Sequence, residues 1–311
     1  MDYQYFSNLK QNILDYYDFK ESLGYKKYSY TTVLRQVDKY AFANDYKESE
    51  IITKEFMYDF LKMKETETQN GRRKRASVLN DFSKYLRSKG EDSFVLPKGS
   101  FTRYKKPMPY IYTDDELTKI FEVIDNEFKN EWGLLFPVLM RFYFTTGARP
   151  QEPLSIKCSE IDLLNDNVKI IDSKGHKDRI IAYTEELGVL LREYDSKMKA
   201  IYPNREYFFV IKGKEVMRTN VSNRFHQCVL KANLNNKQKL PRLYDWRHNF
   251  ASRALQKMLE DKQDIDTLLV VLSEYMGHVE FRDTYYYISL LPGNLIETGK
   301  LDWDIPGDIY E

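Results

Sequence analysis

The chain has 311 residues, 42% of them hydrophobic and 31% charged, which is ordinary for a soluble globular protein and long enough for two domains. No apolar run approaches the roughly 20 residues of a membrane span, and the opening MDYQYFSNLK lacks the basic-then-apolar pattern of a signal peptide, so a cytoplasmic protein without membrane contact is expected. Cys158 and Cys228 form no CxxC and the four histidines (His176, His226, His248, His278) show no metal-ligand spacing, so neither a disulfide framework nor a metal nor another cofactor is expected.

The net charge is only +1, but its distribution is uneven. Residues 1–110 hold 21 Lys+Arg against 15 Asp+Glu, and residues 111–311 hold 27 against 32. The basic excess therefore sits in the first third. There, the pattern predicts four amphipathic helices over residues 4–89: one through Phe6, Leu9 and Ile13, one from Thr31 to about Phe42, one from Thr53 to Met63, and a basic fourth. The fourth opens with Arg72, Arg73, Lys74 and Arg75 and continues through Val78, Phe82 and Leu86. Cations at a helix N-terminus oppose the macrodipole, so this cluster is either a solvated face or a seat for phosphates. As the densest basic cluster of the chain, it is the candidate DNA-binding face.

After Lys89-Gly90 the text GEDSFVLPKGSFTRYKKPMPYIYTDDEL carries prolines and glycines with no clean period, which reads as a linker over residues 91–112 between a domain at 1–90 and one at 113–311. Thr113 is the N-cap candidate of a helix whose Asp114, Asp115 and Glu116 suit a first turn. A nearly continuous apolar helix, WGLLFPVLMRFYF, follows and ends at Gly147. Strands at 168–172 and 179–183 flank the turn SKGHKD, and helices return from Thr184 and over 219–232, 243–260 and 264–276.

Four places in this second half concentrate side chains able to hold a phosphate. In TGARPQE, Arg149 emerges at a helix junction with Glu152 three residues on to orient it, although an Arg beside a Glu is more often a structural ion pair. In SKGHKD, Lys174 and Lys177 stand on a hairpin turn, where lysines usually protect a sheet edge. In YDWRHNFAS, Tyr244 and Arg247 share a helix face while His248 turns away by about 100°. In MGHVEFRDTYYY, Gly277 ends a helix, His278 follows, and Tyr287 comes nine residues later. If DTYYYISL is helical, Tyr285, Tyr286 and Tyr287 fan apart by about 100° each, so one at most points into a site.

This order of blocks resembles the tyrosine recombinases, the phage-integrase family of DNA breaking-and-rejoining enzymes. TGARPQE is similar to the family's TG-x-R-x-x-E, YDWRHNFAS to its H-x-x-R-H-x-F-A except at the first position, and MGHVEFRDTYYY, with Thr284 and Tyr287, to its L-G-H and T-x-x-Y. The resemblance spans residues 113 to about 290. It implies a mainly α fold with a small β-sheet: a helical, SAM-like core-binding domain followed by an α+β catalytic domain. It further implies that Tyr287 is the nucleophile forming a 3′-phosphotyrosyl link, that Arg149 and Arg247 clamp the phosphate, and that His278 donates to a phosphate oxygen. Lys174 would protonate the leaving 5′-oxygen, with Lys177 the lesser candidate. A fixed cationic clamp is what such chemistry needs, since a phosphodiester is a poor electrophile and a tyrosine of pKa about 10 a poor nucleophile. The link stores the bond energy, so resealing needs neither ATP nor metal.

The implied partners are double-stranded DNA, further copies of the chain (a tetramer in the synapse), and companion recombinases or accessory DNA-bending proteins. The tail SLLPGNLIETGKLDWDIP has apolar residues (Leu290, Leu291, Leu295, Ile296) suited to docking on a neighbouring subunit, and its LLPGNL wording is similar to transposon-associated members. The leading expectation is thus the integrase or transposase of a mobile element. Tyr244, where the family has histidine, keeps open a catalytically impaired DNA-binding regulator, and a nicking-closing topoisomerase shares the chemistry.

Overall fold

The computed structural model describes residues 3–25, 28–47, 51–101, 108–171, 178–234, 239–261, 264–278, 280–288 and 290. Among them the chain is mainly helical, with two small antiparallel sheets, and it divides into two units, Met1–Pro107 and Met108–Glu311. No helix among the described residues is long and apolar enough to cross a membrane.

The first unit is built from α1 (Lys10–Ser22), α2 (Tyr28–Ala43), α3 (Lys54–Phe60) and α4 (Gln69–Ser88). Thr53 and Thr68 cap α3 and α4, their hydroxyls accepting the amides of Phe56 and Gly71 at 3.1 Å each. The inner faces bury Leu9, Ile13, Tyr16, Leu34, Val37, Met57, Leu79, Phe82 and Leu86, among others, in one core. The first helix starts later than its apolar period suggests. Phe6 is exposed, and the residues before α1 are held instead by the buried Asp38 carboxylate, which accepts the Ser7 amide (2.9 Å), the Ser7 hydroxyl (2.7 Å) and the Tyr3 hydroxyl (2.7 Å). Much of the stretch read as a linker is also built in. Leu96 N–H donates to Asn80 Oδ1 (2.7 Å) and Phe94 N–H to Ile52 O (2.7 Å), while Tyr110 and Tyr112 join the core of the second unit. Residues 102–107 lie outside the described residues.

The second unit opens with α5 (Asp114–Glu127), closed at its start by a reciprocal capping box between Thr113 and Glu116. Next comes α6 (Asn130–Thr146), buried along most of its length by Leu135, Phe136, Leu139, Met140, Phe142 and Tyr143. Strands β1 (Ile161–Asp162), β2 (Asn167–Ile170) and β3 (Arg179–Ala182) form an antiparallel sheet in that order, with Val168 opposite Ile181 and Ile170 opposite Arg179. Helix α7 (Glu185–Ile201) starts at the Thr184 cap. The small hairpin β4 (Val210–Ile211) and β5 (Lys214–Glu215) turns at Lys212-Gly213, both at positive φ as a type I′ turn requires. Helices α8 (Arg218–Lys231), α9 (Asp245–Glu260), α10 (Ile265–Met276) and α11 (Arg282–Ile288) complete the unit. Trp246, fully buried at the start of α9, stacks on Tyr112 at 4.8 Å and meets Phe121, Phe144 and Phe225, which fixes the end of α9 that carries Arg247. A second cluster joins α9, α10 and α11 through Ala251, Leu255, Leu269, Leu272, Met276 and Tyr287.

Candidate active site

Two helix ends build the site. Helix α6 stops at Gly147 (φ 60°) and α10 at Gly277 (φ 64°), both in the left-handed conformation that glycine adopts without steric cost. Space makes the same demand at Gly147, where a Cβ would lie 2.4 Å from Phe250 Cδ1. The last carbonyls of a helix have no partner within it and carry the negative end of the dipole, so they attract cationic donors. Here those donors are arginines. Arg247 donates from Nη1 to Gly147 O (3.0 Å) and from Nη2 to Met276 O (2.7 Å), Arg149 from Nη2 to Gly277 O (2.6 Å), and Arg179 from Nε to Tyr275 O (2.9 Å).

One buried carboxylate sits among them. Glu152 Oε1 accepts Arg149 Nη1 and Arg179 Nη1, each at 2.9 Å, and Oε2 accepts the Arg149 amide and Arg179 Nη2, each at 2.7 Å. Burial alone would raise this carboxyl, but the hydrogen bonds and charge of Arg179, joined by Arg149, outweigh it and hold the pKa below the ordinary value. Glu152 thus cancels one of three guanidinium charges, and two positive charges stay uncompensated by this carboxylate. Arg247 adds a spare donor: its Nε is buried and has no hydrogen-bond partner among the described residues. A buried donor left unmet is costly, and a site that keeps one is suited to a ligand that will meet it.

Tyr287 and His278 face these cations. The Tyr287 ring is 3% exposed, and burial pushes its phenol up to about 12 against the opposing pull of Arg247. The His278 ring stacks on it at 5.8 Å between centroids and 18° between planes, and its Nδ1 lies 2.6 Å from the Thr284 hydroxyl. Burial, followed by the charge of Arg247, lowers His278 to about 4, so the ring is neutral at pH 7.

The sequence-predicted residues divide as follows. Arg149, Arg247, His278 and Tyr287 are brought together, and Tyr244, the cap residue of α9, stands half exposed beside them. Tyr285 and Tyr286 pack partly buried in the cluster of α9, α10 and α11. Lys174 and Lys177 lie outside the described residues.

Sequence reasoning turned His248 away from the site, but its ring packs on Tyr244 (5.2 Å), Tyr286 (5.8 Å) and Tyr287 (5.6 Å). The reason is that Tyr287 arrives from α11 and lies against α9, so it meets neighbours on more than one face of that helix. Arg179 was missed altogether. Its signal was a lone arginine opening the apolar strand RIIA.

The basic cluster of the first unit needs a correction. Arg75 is buried, not a DNA-facing cation: its guanidinium bonds Phe60 O, Lys62 O (3.0 Å) and both oxygens of Glu67. It lies on the stripe Arg75, Leu79, Phe82, Leu86, whose helical spacing faces the core, and there the end of α3 needs donors for its last carbonyls. Arg72 also serves that end, donating from Nε to Leu61 O (2.7 Å) with its guanidinium 5.0 Å from the centre of the Phe101 ring. Arg73 and Lys74 are exposed.

A tyrosine set against helix-anchored arginines on this mainly helical scaffold defines a class, the tyrosine recombinases. The phage integrase family pattern matches residues 111–292, and the chain belongs to that family. It is 25% identical over 287 residues to y4rE of Sinorhizobium fredii, a protein whose name assigns it to the integrases/recombinases, covering 90% of this chain and 91% of that one. It is 27% identical over 218 residues to the tyrosine recombinase XerC of Staphylococcus saprophyticus, covering 69% of each. Two solved structures share the fold. The XerH site-specific recombinase bound to a palindromic difH substrate matches with a TM-score of 0.66 at 20% identity, covering 86% of this chain and 77% of that one. A lambda integrase dimer bound to a COC′ core site matches with a TM-score of 0.65 at 17% identity, covering 90% and 94%.

Proposed function

We propose that this protein is a site-specific DNA recombinase that acts in the integration or transposition of a mobile element. The observation that carries the reading is the buried guanidinium of Arg247, whose Nε has no hydrogen-bond partner and whose charge meets no carboxylate oxygen among the described residues, placed beside the Tyr287 phenol. A scissile phosphate would take the position next to Arg247 that the phenol now holds. Arg149 and Arg247 would bind its non-bridging oxygens from two sides, and His278 would donate a third hydrogen bond. Tyr287 Oη then attacks phosphorus and loses its proton to water on the open side, where Tyr244 stands. The bond to the 5′-oxygen breaks, and Lys174 protonates that oxygen. The first unit would add phosphate contacts through Arg73 and Lys74. The lambda integrase structures hold that protein as a dimer and as a tetramer on DNA, and we assign the same kind of homo-oligomer to this chain.

Nicked duplexes made from the element's ends test the reading, because loss of the short strand traps the covalent stage. A protein–DNA adduct that survives denaturation is expected. The half-exposed Tyr244, in place of the family's histidine, favours a second reading, a DNA-binding regulator that has lost cleavage. Tight binding to those ends with no adduct would select it.

A further inference from the structure

We propose that Thr284 is a positioning residue that fixes His278 in the tautomer whose Nε2 carries the proton. Thr284 is fully buried, and among the described residues its hydroxyl has a single hydrogen-bond partner, His278 Nδ1 at 2.6 Å. Only one hydrogen fits between the two atoms. If the ring donated it from Nδ1, the threonine hydrogen would be left in the core with no acceptor, and a buried unmet donor is unfavourable. If threonine donates, its hydrogen and Nδ1 are both met inside the core, and the ring's one proton moves to Nε2, which is not one of the fully buried side-chain atoms left without a partner.

The surroundings support a neutral ring, since burial and the positive charges of Arg247, Arg149 and Arg179 all disfavour the imidazolium. Nε2 lies on the side of the ring away from Thr284 and has no hydrogen-bond partner among the described residues. On the reading of the site given above, this tautomer offers a phosphate oxygen an N–H, whereas the other would turn a lone pair towards an anion. The threonine thus acts on the reacting atoms through the histidine, without touching them.

Long-range proton–nitrogen correlation spectra of the full chain, labelled with nitrogen-15 in histidine and free of DNA, read the tautomer directly. Loss of one signal set in His278→Gln assigns the ring. The expected result at pH 7 is a protonated Nε2 and an unprotonated Nδ1. Thr284→Val should mix the tautomers and slow adduct formation about ten-fold with DNA binding unchanged, while Thr284→Ser restores both. A protonated Nδ1 in the parent, or an unchanged tautomer in Thr284→Val, would overturn the proposal. The spectra need no cleavage, so a parent that forms no adduct yet shows Nε2–H would refute the functional reading and leave the tautomer assignment standing.

Discussion

Arg75 in the first unit and Arg247 in the second are both almost fully buried, and both give their guanidinium to carbonyls at a helix end. What separates them is the balance of charge. Arg75 has Glu67 on both of its oxygens and is therefore closed. Around Arg247, the buried carboxylate of Glu152 is taken up by Arg149 and Arg179, and among the described residues Arg247 has no carboxylate on its guanidinium and no hydrogen-bond partner for its Nε. The same local device, an arginine tying off a helix, is a closed structural pin in one place and, on the function proposed above, a phosphate seat in the other. Motif or burial alone does not distinguish them; the count of charges and donors does.

Breaking that contrast on the second unit's side should have the largest effect. Arg247→Lys keeps a charge but cannot reach both helix ends and a phosphate together, and cleavage of a nicked duplex should fall by about 10²–10³, read as the initial rate of adduct formation. On the first unit's side, Arg75→Ala leaves the carbonyls of Phe60 and Lys62 without their side-chain donor and the partly buried Glu67 without its cation, and should lower unfolding free energy by about 1–3 kcal/mol in urea titrations, with the salt dependence of DNA binding unchanged. The converse pair, Arg73→Ala with Lys74→Ala, should leave stability alone and reduce the log–log salt slope by up to about two units. A slope that moves with Arg75 instead would erase the distinction.

Acid sharpens the comparison further. His278 sits at about 4 in the folded chain against an ordinary 6.5, so between those values the unfolded chain binds a proton that the folded one does not. Stability should fall as pH drops through that window, and His278→Gln should remove its share of the slope in thermal melts. The smallest effect is at Tyr244. Tyr244→Phe should cost only about 0.5–1.5 kcal/mol in the cleavage barrier, and Tyr244→His should cleave at least as fast as the parent near neutral pH, because imidazole accepts a proton that a phenol does not.

Much of this was legible in the sequence where a local rule decides alone. The Thr113 and Thr184 caps, the end of α6 at Gly147 and the strand pair around 168 and 181 follow from residue type and period. The errors arose where tertiary context decides. Arg75 is the exception: its spacing to Leu79, Phe82 and Leu86 puts it on the buried stripe, a local signal that the run of four basic residues overlies. His248 was misplaced because facing was judged along one helix, while Tyr287 comes from another. Strand β1 has only two residues and no period to detect. Arg179 meets Glu152 across 27 positions, a pairing that no local pattern announces.

If the uncompensated positive charge around Arg247 serves attack by Tyr287, the covalent bond to DNA forms on that residue, and mapping the bond decides the matter. The adduct formed on a nicked duplex is digested with protease and nuclease, and the modified peptide is sequenced by mass spectrometry. A nucleotide is expected on Tyr287 alone, with Tyr287→Phe binding DNA and forming no adduct. A nucleotide on Tyr285, Tyr286 or Tyr244, or an adduct that persists in Tyr287→Phe, would contradict it.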